Sequence, residues 1–96
     1  EQSFRKALAR NPKQPDALMQ MAELAQEGGN GLQARAFLER YAAVAPATAA
    51  TLWLGRNIEL GLGDAAQAAR YSQRLRNEFP TSEEASRLFE AERAKP

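Results

Sequence analysis

Residues of like kind recur in this chain at a spacing of 34: Leu18 precedes Leu52, Gly29 precedes Gly63, Asn30 precedes Asp64, Ala34 precedes Ala68 and Pro46 precedes Pro80. Pro12 extends the proline series one period further back. An internal repeat constrains the fold more than local propensity does, because a unit this short cannot bury its apolar face alone and must stack on a neighbour. The unit is helical. Alanine is the commonest residue, β-branched residues are few, and no stretch alternates apolar and polar with a period of two. Each unit thus reads as two short helices, separated by a Gly-Asn or Gly-Asp turn and closed by a proline.

A 34-residue unit of two helices resembles the tetratricopeptide (TPR) repeat, which implies an all-α solenoid. On this reading residues 1–12 are the second half of a repeat, residues 15–46 and 49–80 are full units, and residues 81–96 form a capping helix. That makes six helices in one domain. Phe4, Ala7 and Pro12 have the spacing of a second repeat helix whose first helix is missing. The chain is accordingly expected to be a fragment of a longer protein with further repeats upstream. A half repeat would leave Phe4 and Leu8 on an apolar surface where two copies could dimerise or swap.

Pro15 and Asp16 suit the first turn of a helix, with φ fixed by the proline and a carboxylate near the positive end of the helix dipole. Leu18, Met21, Ala22 and Ala25 then fall on one helical stripe. Gly28 to Gly31 end that helix, with Asn30 as N-cap of the next, in which Ala34, Phe37, Leu38 and Tyr41 face the partner helix. The small residues Ala22 and Ala34 allow the pair to cross closely. In the second unit Leu52, Gly55, Ile58 and Glu59 take interior or near-interior positions, Asp64 is the N-cap after Gly63, and Ala68, Tyr71 and Leu75 line the second helix. Arg56 stands where a small residue is expected and Glu59 where an aromatic or alanine is, so this unit should pack differently from the first. Thr81 or Ser82 followed by Glu84 reads as a capping box, and Ala85, Leu88 and Phe89 give the last helix one apolar face. Its charged side, with Glu83, Arg87, Glu90, Glu92 and Arg93, suits the sealed end of a solenoid.

Catalytic chemistry finds no support in these residues. With no histidine and no cysteine in the chain, a serine has no general base at a recognisable spacing, and a His/Cys metal site cannot be assembled. The paired acids Glu83–Glu84 and Glu90/Glu92 sit at a helix start and on a charged tail, where capping and solvation account for them. The glycine turns follow no strand and precede no Gly-Lys-Ser/Thr, so they are not phosphate loops. No cofactor is expected. Thirteen basic and twelve acidic side chains, interspersed, leave a net charge of +1, which is no footprint for nucleic acid or anionic lipid. Arg70, Arg74 and Arg76 form the densest basic group, but Glu78 lies beside them, as on an ordinary solvated helix face. The absence of cysteine is compatible with either redox compartment, and no apolar run approaches the roughly 20 residues of a membrane span.

Binding of a protein partner is the expected role. In a TPR stack the first helix of each unit lines the concave surface. By that resemblance the lining residues are Asp16, Met19, Glu23, Gln26 and Glu27 in one unit and Ala50, Trp53, Asn57, Leu60 and Gly61 in the next, with Arg87 on the cap helix. Met19 and Trp53 are equivalent positions, 34 residues apart. They could floor an apolar groove for a peptide that Asn57 and Arg87 hold by its backbone or a carboxylate. Alternatively Trp53 packs as ordinary core.

A narrower resemblance rests on residues 52–84: Leu52–Gly55 (LWLG), Leu62–Asp64 (LGD), Tyr71, Leu75, Phe79–Pro80, Ser82 and Glu84. In this order they resemble the C-terminal end of the type IV pilus biogenesis lipoproteins of the PilF/PilW family, and GLQARAFLERY at Gly31 to Tyr41 is similar too. Leu60 and Gly61 depart from that family, which tends to carry charged residues there. The resemblance implies a lipoprotein whose anchoring cysteine lies upstream, held at the periplasmic side of the bacterial outer membrane. It would act there as a pilotin that helps the pilus secretin reach or assemble in that membrane, touching the membrane only through the lipid. The alternative is a generic TPR interaction module of a larger cytoplasmic enzyme or regulator.

Overall fold

The computed structural model describes residues 14–94. The expected half repeat of residues 1–12 lies outside them. The described residues form five helices: α1 Pro15–Glu27, α2 Gly31–Val44, α3 Ala49–Leu62, α4 Ala65–Glu78 and α5 Glu83–Arg93. There is no strand among them, and the fold is the all-α one that the periodicity implies. The chain divides into two compact units that part between Pro46 and Ala47.

In the first unit α1 packs against α2. Pro15 occupies the first helical position, and Gln14, in extended conformation, precedes it without a side-chain cap. Ala17, Leu18, Ala22 and Ala25 of α1 are buried, as are Ala34, Leu38 and Tyr41 of α2. Leu18, Ala22 and Ala34 are completely enclosed, which is what two closely crossing helices require of their contact residues. Met21 and Phe37, equally placed on the apolar stripes, are only half-buried. The guanidinium of Arg40 lies over the Phe37 ring, 5.6 Å from its centroid.

The turn between paired helices is the same object in both units, and it explains the glycine series. In the first unit Gly29 N–H donates to Gln26 O (3.1 Å) and Asn30 N–H to Ala25 O (2.8 Å); in the second, Gly63 N–H donates to Leu60 O (3.1 Å) and Asp64 N–H to Glu59 O (2.9 Å). This is the Schellman pattern, whose pivot residue must be left-handed, and Gly29 and Gly63 have φ of 79° and 81°. The next helix starts differently in the two units. The Asp64 carboxylate accepts from Gln67 N–H at 3.1 Å, whereas Asn30 occupies the N-cap position without any side-chain cap bond. The expected asparagine cap is therefore positional only: the backbones at Asn30 (φ −96°, ψ 68°) and Asp64 (φ −96°, ψ 82°) nearly match, so the placement of the side chain and not the backbone separates the two.

The second unit adds a third helix. α3 packs along α4, and α5 rests on both. Leu52, Leu75, Ala85 and Leu88 form its core cluster, with Ala47, Ala49, Trp53, Tyr71 and Phe79 packed around it. Burying a side chain such as Leu75 or Leu88 completely contributes about 1.5–3 kcal/mol. α3 is buried on several sides, taking in Thr51, Leu54, Arg56 and Glu59 besides the apolar stripe. Two features differ from expectation at the helix starts. The reciprocal capping box stands at Thr48–Thr51, where Thr48 Oγ1 accepts from Thr51 N–H (3.1 Å) and Thr51 Oγ1 accepts from Thr48 N–H (2.8 Å). At α5, Ser82 Oγ accepts from Ala85 N–H (3.0 Å) and donates to Phe79 O (2.7 Å), a one-way cap in which Glu84 takes no part. Phe89 also differs: it is 45% exposed, so the apolar face of α5 narrows to Ala85 and Leu88.

Candidate functional site

The repeat register shows how the second unit accommodates Arg56. Shifted by 34 residues, Ala22 becomes Arg56 and Leu38 becomes Ser72, while Met21 becomes Gly55 and Phe37 becomes Tyr71. Bulk removed from α4 at residue 72 is thus regained on α3 at residue 56, while at residue 55 the methionine side chain is lost and residue 71 keeps an aromatic ring. A Cβ on Gly55 would come within 2.5–2.8 Å of Tyr71 ring atoms, so the ring lies directly on the glycine. Arg56 is only 8% exposed. Its Nη1 donates to Asn57 Oδ1 at 2.8 Å, and its guanidinium lies over the Trp53 ring, 4.9 Å from the centroid. Such an arrangement buries the arginine stem and stacks its delocalised charge on an aromatic face.

Each residue expected on the concave face has a definite setting within its own unit. On α1, Asp16 is exposed, and Met19, Glu23 and Gln26 are half-buried. On α3, Trp53 is half-buried, packed against the Leu52–Leu75–Ala85–Leu88 cluster on one side and beneath Arg56 on the other. Asn57 is half-buried and holds Arg56, and Leu60 is 44% exposed. Arg87, on α5, is exposed and paired with Glu83 one turn earlier at 2.6 Å.

Sequence reading did not single out the cleft these substitutions create. A space of about 190 Å³ in the second unit is walled by Arg56, Leu60, Ala68, Ser72, Arg76 and Glu92. Arg76 Nη1 and Glu92 Oε1 meet at 2.5 Å across it, joining α4 to α5. The available signal was the reciprocal change at residues 56 and 72, visible only when the two repeats are aligned and read as a pair. The basic group Arg70, Arg74 and Arg76 does not act as one patch: Arg76 reaches Glu92, Arg74 pairs with Glu78 at 3.0 Å, and Arg70 lines a shallow depression with Gln67, Tyr71 and Arg74.

Among the described residues no three acidic side chains converge as a metal site, and no helix is long and apolar enough to cross a membrane.

Comparison with known proteins agrees with the internal periodicity. Tetratricopeptide-repeat family models match residues 1–53 and 49–82. No curated protein sequence matches the chain. Among solved structures, the crystal structure of PilW, a widely conserved type IV pilus biogenesis factor, is similar with a TM-score of 0.83 and 30% identity over 90% of this chain. Pseudomonas aeruginosa PilF is similar with a TM-score of 0.82 and 30% identity over 93%. The chain spans 40% of the length of each.

Proposed function

Since this chain belongs to the tetratricopeptide-repeat family, we propose that it is part of a pilotin, which assists the outer-membrane localisation and assembly of the type IV pilus secretin. It is a protein-interaction scaffold related to type IV pilus biogenesis factors. The observation that carries the proposal is the likeness to PilW, at 30% identity over 90% of the chain, a level at which the relation extends beyond shared helical architecture. A helical-repeat scaffold of this kind works by holding a partner on the surfaces of its stacked helices. Its place would be the periplasmic side of the outer membrane, reached through a lipid on a cysteine upstream of Glu1.

The surfaces proposed to meet the secretin are the outward residues of the first helices: Asp16, Met19, Glu23 and Gln26 on α1, and Trp53, Asn57 and Leu60 on α3, with Arg87 on α5. Met19, Glu23, Gln26, Trp53 and Asn57 are half-buried and Asp16, Leu60 and Arg87 exposed, a mixture of apolar and polar groups that suits adaptable contact with a protein chain. The test is co-purification of the tagged, complete gene product with the secretin from envelope extracts, together with deletion of the gene. Loss of secretin multimers and of pili is expected on deletion. Intact multimers and normal piliation would overturn the pilotin reading.

A further inference from the structure

We propose that the cleft between Arg56, Ser72 and Arg76 is a binding site for a carboxylate side chain presented by a protein partner. The proposal rests on the interaction-scaffold reading for the nature of the ligand, and on the second unit alone for its chemistry.

Arg56 is the central observation. An arginine this deeply enclosed, at 8% exposure, ordinarily has an acid beside it, because burying an uncompensated charge is unfavourable. Here its contacts are neutral, the Asn57 amide oxygen and the Trp53 ring, and none of the ion pairs between described residues includes it. The Asn57 bond employs one of the five N–H donors of the guanidinium. Asn57 and Trp53 also fix its plane, so little freedom remains to be lost when a second acceptor arrives.

The space beside it is of the right size and kind. About 190 Å³ is many times the roughly 10–15 Å³ that one water needs on the same measure. Ser72 stands where the first unit has Leu38, which leaves the room, and Arg56 stands where the first unit has Ala22, which supplies the basic wall. Ala68 and Leu60 offer an apolar floor for methylene groups, and the Ser72 hydroxyl adds a small polar group to the wall. Arg76 contributes a second cation, held in place by Glu92 at 2.5 Å. Among the residues that line the cleft, two guanidinium groups and one carboxylate leave a single unbalanced positive charge, the buried Glu59 of α3 not being one of them. One glutamate or aspartate side chain neutralises it, and the fork of a guanidinium accepts such a group with charge-assisted hydrogen bonds.

The test titrates the full 96-residue chain with C-terminally amidated hexaglutamate and, separately, with hexaglutamine, following the side-chain Nε–Hε resonance of Arg56 by NMR. Saturable movement of that resonance with hexaglutamate and none with hexaglutamine is expected. Arg56→Gln should weaken binding about tenfold or more, the loss typical of one charged hydrogen bond. Arg74→Gln, on α4 but outside the cleft, should leave it within about twofold. A still Arg56 resonance, equal response to hexaglutamine, or full affinity in Arg56→Gln would overturn the proposal. Because the resonance is read in the unsubstituted chain, the result stands even where Arg56→Gln folds poorly. Secretin co-purification is read independently. If hexaglutamate fails to bind while the secretin co-purifies, the cleft assignment falls and the scaffold stands; the reverse outcome removes the pilotin and keeps the cleft.

Discussion

At residue 55 the Tyr71 ring lies where a side chain would stand, which fixes the sign of a single substitution. Glycine inside a helix costs about 1 kcal/mol relative to alanine, so Gly55→Ala would stabilise α3 were the space beside it empty. It is not: the added methyl would sit 2.5–2.8 Å from Tyr71 ring carbons, well inside contact distance, and overpacking of this kind costs about 1–3 kcal/mol. The clash wins while the ring is present. Gly55→Ala should therefore lower the urea-unfolding free energy by about 1–2 kcal/mol, whereas in a Tyr71→Ala background the same change should be neutral or stabilising by up to about 1 kcal/mol. A double-mutant cycle reads the coupling directly. An additive pair would mean that Tyr71 does not pack on Gly55. At Arg56 and Ser72 the two repeats exchange bulk, and this exchange shows what single-position reading lacks. Arg56 alone looks like a departure from the repeat, and Ser72 alone is unremarkable; only together do they describe a relocated side chain and the space it leaves.

Helix starts in this chain have nearly the same sequence grammar and different physics. Asn30 and Thr48 both stand immediately before a helix, and both belong to residue types favoured there. Thr48 makes a reciprocal box with Thr51, while Asn30 makes no side-chain cap bond. Thr48→Ala should accordingly cost about 0.5–2 kcal/mol, and Asn30→Ala should remain within about 0.5 kcal/mol of the parent, as for an ordinary surface change. Thermal unfolding followed by circular dichroism compares the two, and equal losses would show that the Thr48 box contributes nothing beyond position. The turns, by contrast, were legible in full. Gly29 and Gly63 are constrained by a left-handed φ, a requirement that few residues meet, so the glycines carry the information openly. Caps are satisfied by several residue types in several geometries. The Thr48–Thr51 box departs from the usual signature, which has Glu or Gln at its second position, and at α5 the Ser82 Oγ accepts from Ala85 N–H without help from Glu84, the residue that matches that signature.

Within each unit apolar burial and the helix-to-helix turn hold the helices together, and the exposed ion pairs contribute little. The fold class could be read from the periodicity because it depends on where small and apolar residues recur. The cleft could not, because it depends on which side chains of α3, α4 and α5 close on one another in three dimensions. The same distinction predicts the response to salt. The ion pairs Arg74–Glu78, Arg76–Glu92 and Arg87–Glu83 join side chains that are between 37% and 74% exposed. Pairs of this kind contribute roughly 0–1 kcal/mol each and are screened by added ions. Raising NaCl from about 0.1 M to about 1 M shortens the screening length from about 10 Å to about 3 Å, which weakens these pairs along with the repulsions among neighbouring like charges such as Arg74 and Arg70. With thirteen basic and twelve acidic side chains interspersed, the two effects oppose each other. The unfolding free energy should therefore change by less than about 1 kcal/mol across that range, as measured by urea denaturation at each salt concentration. A loss of several kcal/mol would show that the solenoid depends on charge pairs and not on its apolar contacts. Carboxylate binding at Arg56 should weaken over the same salt range, since its ligand arrives from solvent and must compete with chloride there; stability and binding thus part company in one titration.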